Sequence, residues 1–211
     1  MSSIKRAQSS RQPRDRFLIV CEGSKTEPSY FKGLTNYLQM PASVEVITSP
    51  GSAPISVVDE AIKRLSKKGS QYDQVWVVFD REQWNYNPTF GVAVDKASAN
   101  GIAVATSNPS IEFWFLLHNE FTTRQFLNCD DVMKHLKQFL PDYAKGGYDF
   151  RNLFENTQTA CCRAEKVLQY HRAASQDDSD ESNPSTKVHR LAEALLQSLS
   201  KSRPSDADQT D

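Results

Sequence analysis

Two acidic segments stand where apolar runs stop. Glu22-Gly23 closes the run RFLIVC over 16–21, and Asp80-Arg81-Glu82 closes the run VWVVF over 75–79. Carboxylates gathered at one crevice repel and raise one another's pKa unless a cation compensates. With oxygen donors and no Cys or His beside them, the cation that suits them is a hard divalent ion, Mg²⁺ or Mn²⁺. Such an ion polarises a phosphoryl oxygen, lowers the pKa of an attacking water and stabilises the leaving oxygen, so the chemistry that fits is phosphodiester hydrolysis. A D-x-E triplet alone carries little weight, because acids are common where a buried segment meets water. The weight comes from the conjunction of E-G after one run and D-x-E after another, with the right number of elements between them.

For Glu22, Asp80 and Glu82 to meet, the two runs must be strands of one sheet. Runs that are apolar on consecutive positions mark strands covered on both faces. Between them, Thr26 is a candidate N-cap, Pro28 falls near the first turn, and Tyr30, Phe31, Leu34 and Leu38 recur at helical spacing. VEVIT (44–48) reads as a second strand, and Ile55, Val58, Ile62 and Leu65 as the inward stripe of a second helix ended by Gly69. A helix over 88–100 and a strand over 102–106 continue the alternation, which predicts an α/β fold with a parallel sheet flanked by helices. Ligands of such sheets bind outside the carboxyl ends of the strands, where these acids fall. After 109 the strands are expected to stop. Helices are predicted over 110–118, 130–139, 150–171 and 185–200, the last capped by Ser185 or Thr186, as a helical C-terminal extension.

With 211 residues, 38% of them hydrophobic, the chain supports one core with appendages. The expected organisation is a disordered basic arm over 1–15, an α/β core over 16–109, a helical extension over 110–200 that completes the site, a mobile acidic loop near 174–184, and a disordered tail over 201–211. No apolar run reaches the roughly 20 residues of a membrane span, and the first residues lack the apolar core of a secretory signal. A cytoplasmic protein without membrane contact is the expectation. The net charge of −1 argues neither for nor against nucleic acid. The four cysteines, Cys21, Cys129, Cys161 and Cys162, form no C-x-x-C pair and read as reduced, non-catalytic thiols.

Further residues invite a chemical reading. Glu112 lies in the apolar segment IEFWFLL, where an acid needs a partner or a metal, while Phe113, Trp114 and Leu117 read as core and His118 as a structural residue at a helix end. Lys145 sits in the glycine-bearing loop YAKGGYD, either reaching a phosphate or simply solvated. Arg81 reads as a structural ion pair before a phosphate contact. Asn183 and Lys187, in NPSTKVHRL, are further residues that can approach the site. The loop over 22–26 has one glycine and neither a G-x-G-x-x-G nor a G-x-x-x-x-G-K-[ST] pattern, which excludes dinucleotide and P-loop sites. Primase or topoisomerase activity is not expected, because the 211 residues lack room for the further domains those reactions use and offer no evident context for a tyrosine nucleophile.

The ordered motifs LIVCEGSKTEPSYF, VVFDRE, SNPSIEFWFLLH, YAKGGYDF and NPSTKVHRL resemble the RloB family, also seen as the second component of AbiL-type phage-defence pairs. The resemblance spans 16–196. It implies a Toprim domain like those of OLD-family nucleases, an ABC-type ATPase partner, and a part in abortive phage infection or restriction-linked defence. By position, Glu22 answers to the Toprim glutamate that binds metal or acts in acid/base chemistry, and Gly23 to the glycine that lets the chain turn away. Asp80 and Glu82 answer to the D-x-D motif, with Glu one methylene longer. Glu27 answers to the second acid of E-G-x-x-x-E and reads equally as an acid favouring a helix N-terminus. The family's S-N-P-x-x-E-x-W segment turns Glu112 toward the crevice, and its Y-x-K motif makes Lys145 the charge that stabilises the transferring phosphoryl group.

The resulting expectation is a Mg²⁺- or Mn²⁺-dependent nuclease acting on DNA or RNA in anti-phage defence. Its catalytic set is Glu22, Asp80, Glu82 and Lys145, and its metal ligands are Glu22, Glu27, Asp80, Glu82 and Glu112. The partners expected are nucleic acid, an ABC-type ATPase and, as an open option, further copies of the chain. The alternative is a non-catalytic regulator or toxin subunit of an ATPase-based defence complex.

Overall fold

A computed structural model describes residues 14–69, 71–81, 89–175 and 182–201. Its centre is a five-stranded sheet in the order β2-β1-β3-β4-β5. The strands are β1 (Phe17–Cys21), β2 (Val44–Thr48), β3 (Gln74–Asp80), β4 (Ala103–Asn108) and β5 (Ser185–Thr186). The first four run parallel, and β5 joins β4 antiparallel, with Ser107 opposite Thr186 and Asn108 opposite Ser185. Helices α1 (Thr26–Tyr37), α2 (Pro54–Leu65) and α3 (Thr89–Ala99) alternate with the strands. After β4 come α4 (Glu112–Leu117), α5 (Cys129–Leu136), α6 (Arg151–Phe154), α7 (Thr157–Ser175) and α8 (Val188–Lys201).

The continuous apolar runs sit where both faces of the sheet are covered. Side chains alternate along a strand, so Phe17, Ile19 and Cys21 join Trp76 and Val78 in one core with α1, α4, α7 and α8. Leu18 and Val20 join Val75, Val77 and Phe79 in a second core against α2 and α3. The buried stripe of α2 centres on Val57, Val58 and Ala61, with Ile55, Ile62 and Leu65 at its margins.

Four sequence-based expectations change. Strands do not stop after β4: Ser185 and Thr186 form an edge strand instead of capping the last helix. They carry no apolar pattern, and what recruits them is the open edge of β4, where the Ser107 and Thr186 hydroxyls meet at 3.0 Å. Thr186 Oγ1 accepts from the Val188 N–H at 3.2 Å, a local turn that leads from the strand into the last helix. The helix expected over 150–171 is two, because the chain turns at Glu155–Asn156 and the Thr157 hydroxyl takes the Phe154 carbonyl at 2.8 Å. Thr26 is the first residue of α1 and not its cap. The basic arm was expected to run to 15, yet Asp15 accepts from Gln74 Nε2 and its N–H donates to Ser198. Expectations for 1–13, for Glu82 and for the acidic run 176–181 fall outside the described residues.

Strand order decides where the site lies. The chain leaves β1 for β2 on one side and then crosses to β3 on the other. The crevice between the carboxyl ends of β1 and β3 is therefore the point where the winding reverses, the place where open α/β sheets bind ligands. Glu22 follows β1 and Asp80 ends β3 at this crevice.

Candidate active site

Glu22 prolongs the pairing of β1 with β3. Its N–H donates to the Val78 carbonyl at 2.9 Å, and its Oε2 accepts from the Asp80 N–H at 3.1 Å. The chain then turns through Gly23 into α1, whose first turn presents Glu27. A Cβ at Gly23 would overlap the Glu27 carboxylate, whose charge the nearby N–H groups of Glu27 itself and of Gly23 favour. Asp80 accepts from the Ile111 N–H at the entry to α4. Glu112, one residue on, is 1% exposed, with its Oε1 accepting from the Tyr143 hydroxyl at 2.9 Å and its Oε2 3.5 Å from the Cys129 thiol. Lys145 closes the group, its Nζ 3.8 Å from Glu112 and 3.0 Å from Cys129 Sγ.

These residues surround a pocket of about 270 Å³ lined by Glu27, Asp80, Glu112, Lys25 and Lys145 and by the backbone of Gly23–Thr26 and Gly146. Gly146 has φ +76, and a Cβ there would meet the aliphatic stem of Lys25 at 2.7 Å. The Lys145 loop thus packs directly on the loop before α1. Glu22 is not a lining residue; its carboxylate is turned onto the β3 backbone behind Asp80.

The electrostatics of the pocket are those of acids crowded together. Burial pushes Asp80 well above the usual carboxylate range, and repulsion from Glu27, Glu112 and Glu22 pushes it further. Burial raises Glu27 too, with repulsion from Glu112 added, against the N–H donors and the Lys145 charge. For Lys145, burial alone would favour the neutral amine, but the Cys129 sulfur and the Glu112 and Asp80 carboxylates outweigh it and hold the ammonium charged. Burial and the Glu112 charge push the Cys129 thiol up, so it stays protonated.

Of the residues singled out from sequence, the fold gathers Glu27, Asp80, Glu112 and Lys145 at one pocket, with Glu22 directly behind. Glu82 lies outside the described residues. Asn183 does not approach: its side chain accepts from the Phe126 N–H and donates to the Phe126 carbonyl. Lys187 lines a separate cavity with Arg81, whose guanidinium lies over Phe90. His118 is buried against Trp114, bonded to its carbonyl at 2.9 Å, and lowered to about 4 by burial. Phe113, Trp114 and Leu117 are core. All four cysteines are free thiols.

Tyr143, Cys129 and Lys25 were not singled out from sequence. Tyr143 had a signal: a buried acid at 112 needs a donor, and the tyrosine stands two residues before Lys145 in the same motif. Cys129 had none, since it reaches the site only because α5 packs on α4.

As donors, the carboxylates suit a hard divalent cation: they supply only oxygen and carry negative charge that burial makes costly. They do not form a closed cage. Among the described residues, no group of three or more His, Cys, Asp and Glu stands in position to hold one ion. Glu22, Glu27 and Glu112 are each engaged by a donor of the protein. No helix among the described residues is long and apolar enough to cross a membrane.

A family model described as RloB-like protein matches residues 17–195. Neither a curated protein nor a solved structure matches the chain.

Proposed function

The chain belongs to the RloB-like family, and from that premise we propose that it is a divalent-metal-dependent nuclease of the Toprim kind, hydrolysing phosphodiester bonds of DNA or RNA. The observation that carries the proposal is the meeting of Glu27, Asp80 and Glu112 with Lys145 in one pocket at the β1/β3 switch point. An isolated acid at a strand end would be solvated. Here the acids come from different elements, and their crowding adds to burial in raising the proton affinity of Asp80 and Glu27, an arrangement that costs stability and is typical of sites that serve chemistry.

Mg²⁺ or Mn²⁺ would be held by Asp80 with Glu27 and Glu112 drawn in from the same pocket, since as they stand the three do not yet meet on one ion, and with Glu22 and Glu82 as further donors. The ion would supply a polarised phosphoryl oxygen and an activated water. The chain's own residues have separate tasks. Lys145, kept charged by Glu112, is placed to balance negative charge developing on the phosphoryl group. Glu27 serves as a ligand, and the raised proton affinity that burial and the Glu112 charge give it is the cost that a bound cation would relieve. Tyr143 fixes the Glu112 carboxylate, and the Glu22 carboxylate fixes the backbone that presents Asp80. The proposal extends to a cytoplasmic role in anti-phage defence, with an ABC-type ATPase as controlling partner.

The test is incubation of the purified chain with single- and double-stranded DNA, RNA and tRNA in Mg²⁺ or Mn²⁺, with and without the ATPase. Cleavage should need the metal and vanish in Asp80→Asn and Glu22→Gln proteins that remain folded. A folded wild type that cuts none of these substrates under any of these conditions refutes the proposal. The absence of a ready-made ligand group among the described residues favours a second reading, a non-catalytic regulator or toxin subunit of the same complex. Phage protection that persists in cells carrying the Asp80→Asn and Glu22→Gln variants would select it.

A further inference from the structure

Two lysines line the acidic pocket, and the fold holds them in different ways. Lys145 is committed to the protein, its Nζ 3.8 Å from Glu112 and 3.0 Å from Cys129 Sγ. Lys25 belongs to the loop that leads from β1 into α1. Its carbonyl accepts from the Ser29 N–H at 3.0 Å, so the backbone that carries the side chain is fixed where α1 begins. The stem is held as well. A Cβ at Gly146 would come within 2.7 Å of Lys25 Cδ, 2.8 Å of its Cβ and 3.3 Å of its Cγ, so the aliphatic part of the lysine lies along the turn that follows Lys145. Lys25 is nonetheless an exposed residue, and among the described residues no acid stands within ion-pair distance of its ammonium. A lysine that packs its stem and keeps its head in water has already given up part of the side-chain freedom that a bound ligand would otherwise take from it.

The pocket itself presents Glu27, Asp80 and Glu112. A phosphodiester brings one more negative charge to a place rich in them, and a cation beside its path lowers that barrier. Lys145 gives its charge first to Glu112; Lys25 has its charge to give. We infer that Lys25 is the residue that receives the substrate, its ammonium binding a non-bridging oxygen of a nucleic-acid phosphate as the strand enters the pocket. The inference rests on the nuclease reading and adds to it a division of labour: Lys145 offsets charge inside the pocket, and Lys25 takes hold of the phosphate before any bond breaks. An ammonium acts on phosphate as a point charge. The contact therefore sets affinity and position and carries no base preference.

The test uses a short, fluorescently labelled single-stranded DNA, with anisotropy read in EDTA over a range of salt so that binding is measured without cleavage, and melting curves as the check on folding. Lys25→Gln should weaken binding roughly tenfold, the worth of one charged hydrogen bond. It should also reduce the salt slope by about 0.7, and Lys25→Arg should restore the slope. Lys68→Gln is the control. Lys68 is exposed and lies between the end of α2 and the start of β3, at the amino ends of the strands, so its loss should change neither quantity. Gly146→Ala keeps the Lys25 charge but displaces its stem, so it should weaken binding in wild type and add little in Lys25→Gln. A wild type that binds no DNA, a folded Lys25→Gln that binds like wild type, an equal loss in Lys68→Gln, or a cost of Gly146→Ala that is the same in both backgrounds overturns the inference. Should Lys25→Gln not fold, acylation of wild-type lysines decides: the DNA must protect Lys25, and equal modification with and without it overturns the contact. A wild type that cuts nothing yet loses affinity and slope through Lys25→Gln refutes the nuclease reading alone.

Discussion

Replacing Gly23 by Ala tests how the acidic pocket is built. A Cβ at position 23 would lie 2.5 Å from Glu27 Cδ and 2.6 Å from Oε1, with Oε2 in the way as well. Carbon contacts settle near 3.5 Å, so the carboxylate must retreat by roughly 1 Å, out of reach of the Gly23 N–H. Moving a buried carboxylate off the N–H dipoles that favour its charge, with the repacking that the clash forces, costs on the order of 1.5–3 kcal/mol. Partial relief of the repulsion with Glu112 offsets some of that, which leaves about 2 kcal/mol, or ~4–8 °C in melting temperature for a chain of this length. Gly23 is not among the glycines with positive φ, so its backbone admits alanine without strain. In a Glu27→Ala background the clash is gone, and the same replacement should then stabilise by about 0.4–1 kcal/mol through the unfolded chain. Urea unfolding of wild type, both single variants and the double variant should give a coupling of about 2–3 kcal/mol, well above the ~0.5 kcal/mol by which independent sites depart from additivity. An equal cost of Gly23→Ala in both backgrounds would refute the contact as its cause.

Two further outcomes follow from the same geometry. Tyr143→Phe removes the hydroxyl that donates to Glu112 at 2.9 Å in a buried setting, so urea unfolding should show a loss of about 2 kcal/mol; a loss under ~0.5 kcal/mol would mean that Glu112 does not depend on it. The pH profile should carry two opposed trends. Asp80 and Glu27 are raised in the folded state, so they hold protons more tightly there than in the unfolded chain. Their contribution to stability is greatest below about pH 4 and is lost as pH rises toward their folded values. Asp80→Asn should therefore gain on wild type as pH rises from about 5 to about 8 without divalent ions, and a difference that shrinks would refute the crowding. His118 and His189, lowered by burial to about 4, contribute stability above their ordinary 6.5 that is lost as pH falls toward 4. Their ring C–H resonances should not titrate above about pH 5, and a midpoint near 6.5 for either would contradict its burial.

Much of the scaffold was legible because it is written in local pattern. FLIVC and VWVVF are short β-branched and aromatic runs, apolar on consecutive positions, the pattern of a strand covered on both faces, and both proved buried. The edge strand Ser185–Thr186 was not legible: it is short and polar, and what makes it a strand is the unpaired side of β4, far away in the chain. The break between α6 and α7 was missed because the chain turns for two residues at Glu155–Asn156 while the apolar spacing runs on.

The candidate site divides in the same way. Residue type and strand-end position were enough to pick out Glu22 and Asp80, and an acid among aromatics was enough to demand a partner for Glu112. Tertiary structure decided that the partner is Tyr143, that Cys129 stands between Glu112 and Lys145, that Glu22 backs the pocket while Glu27 lines it, and that Lys187 serves another cavity with Arg81. Sequence determines which side chains a strand or helix can offer, because that depends on periodicity and propensity within a few residues. Which of them meet depends on strand order and on how helices distant in the chain pack, and those are set by burial of the whole core.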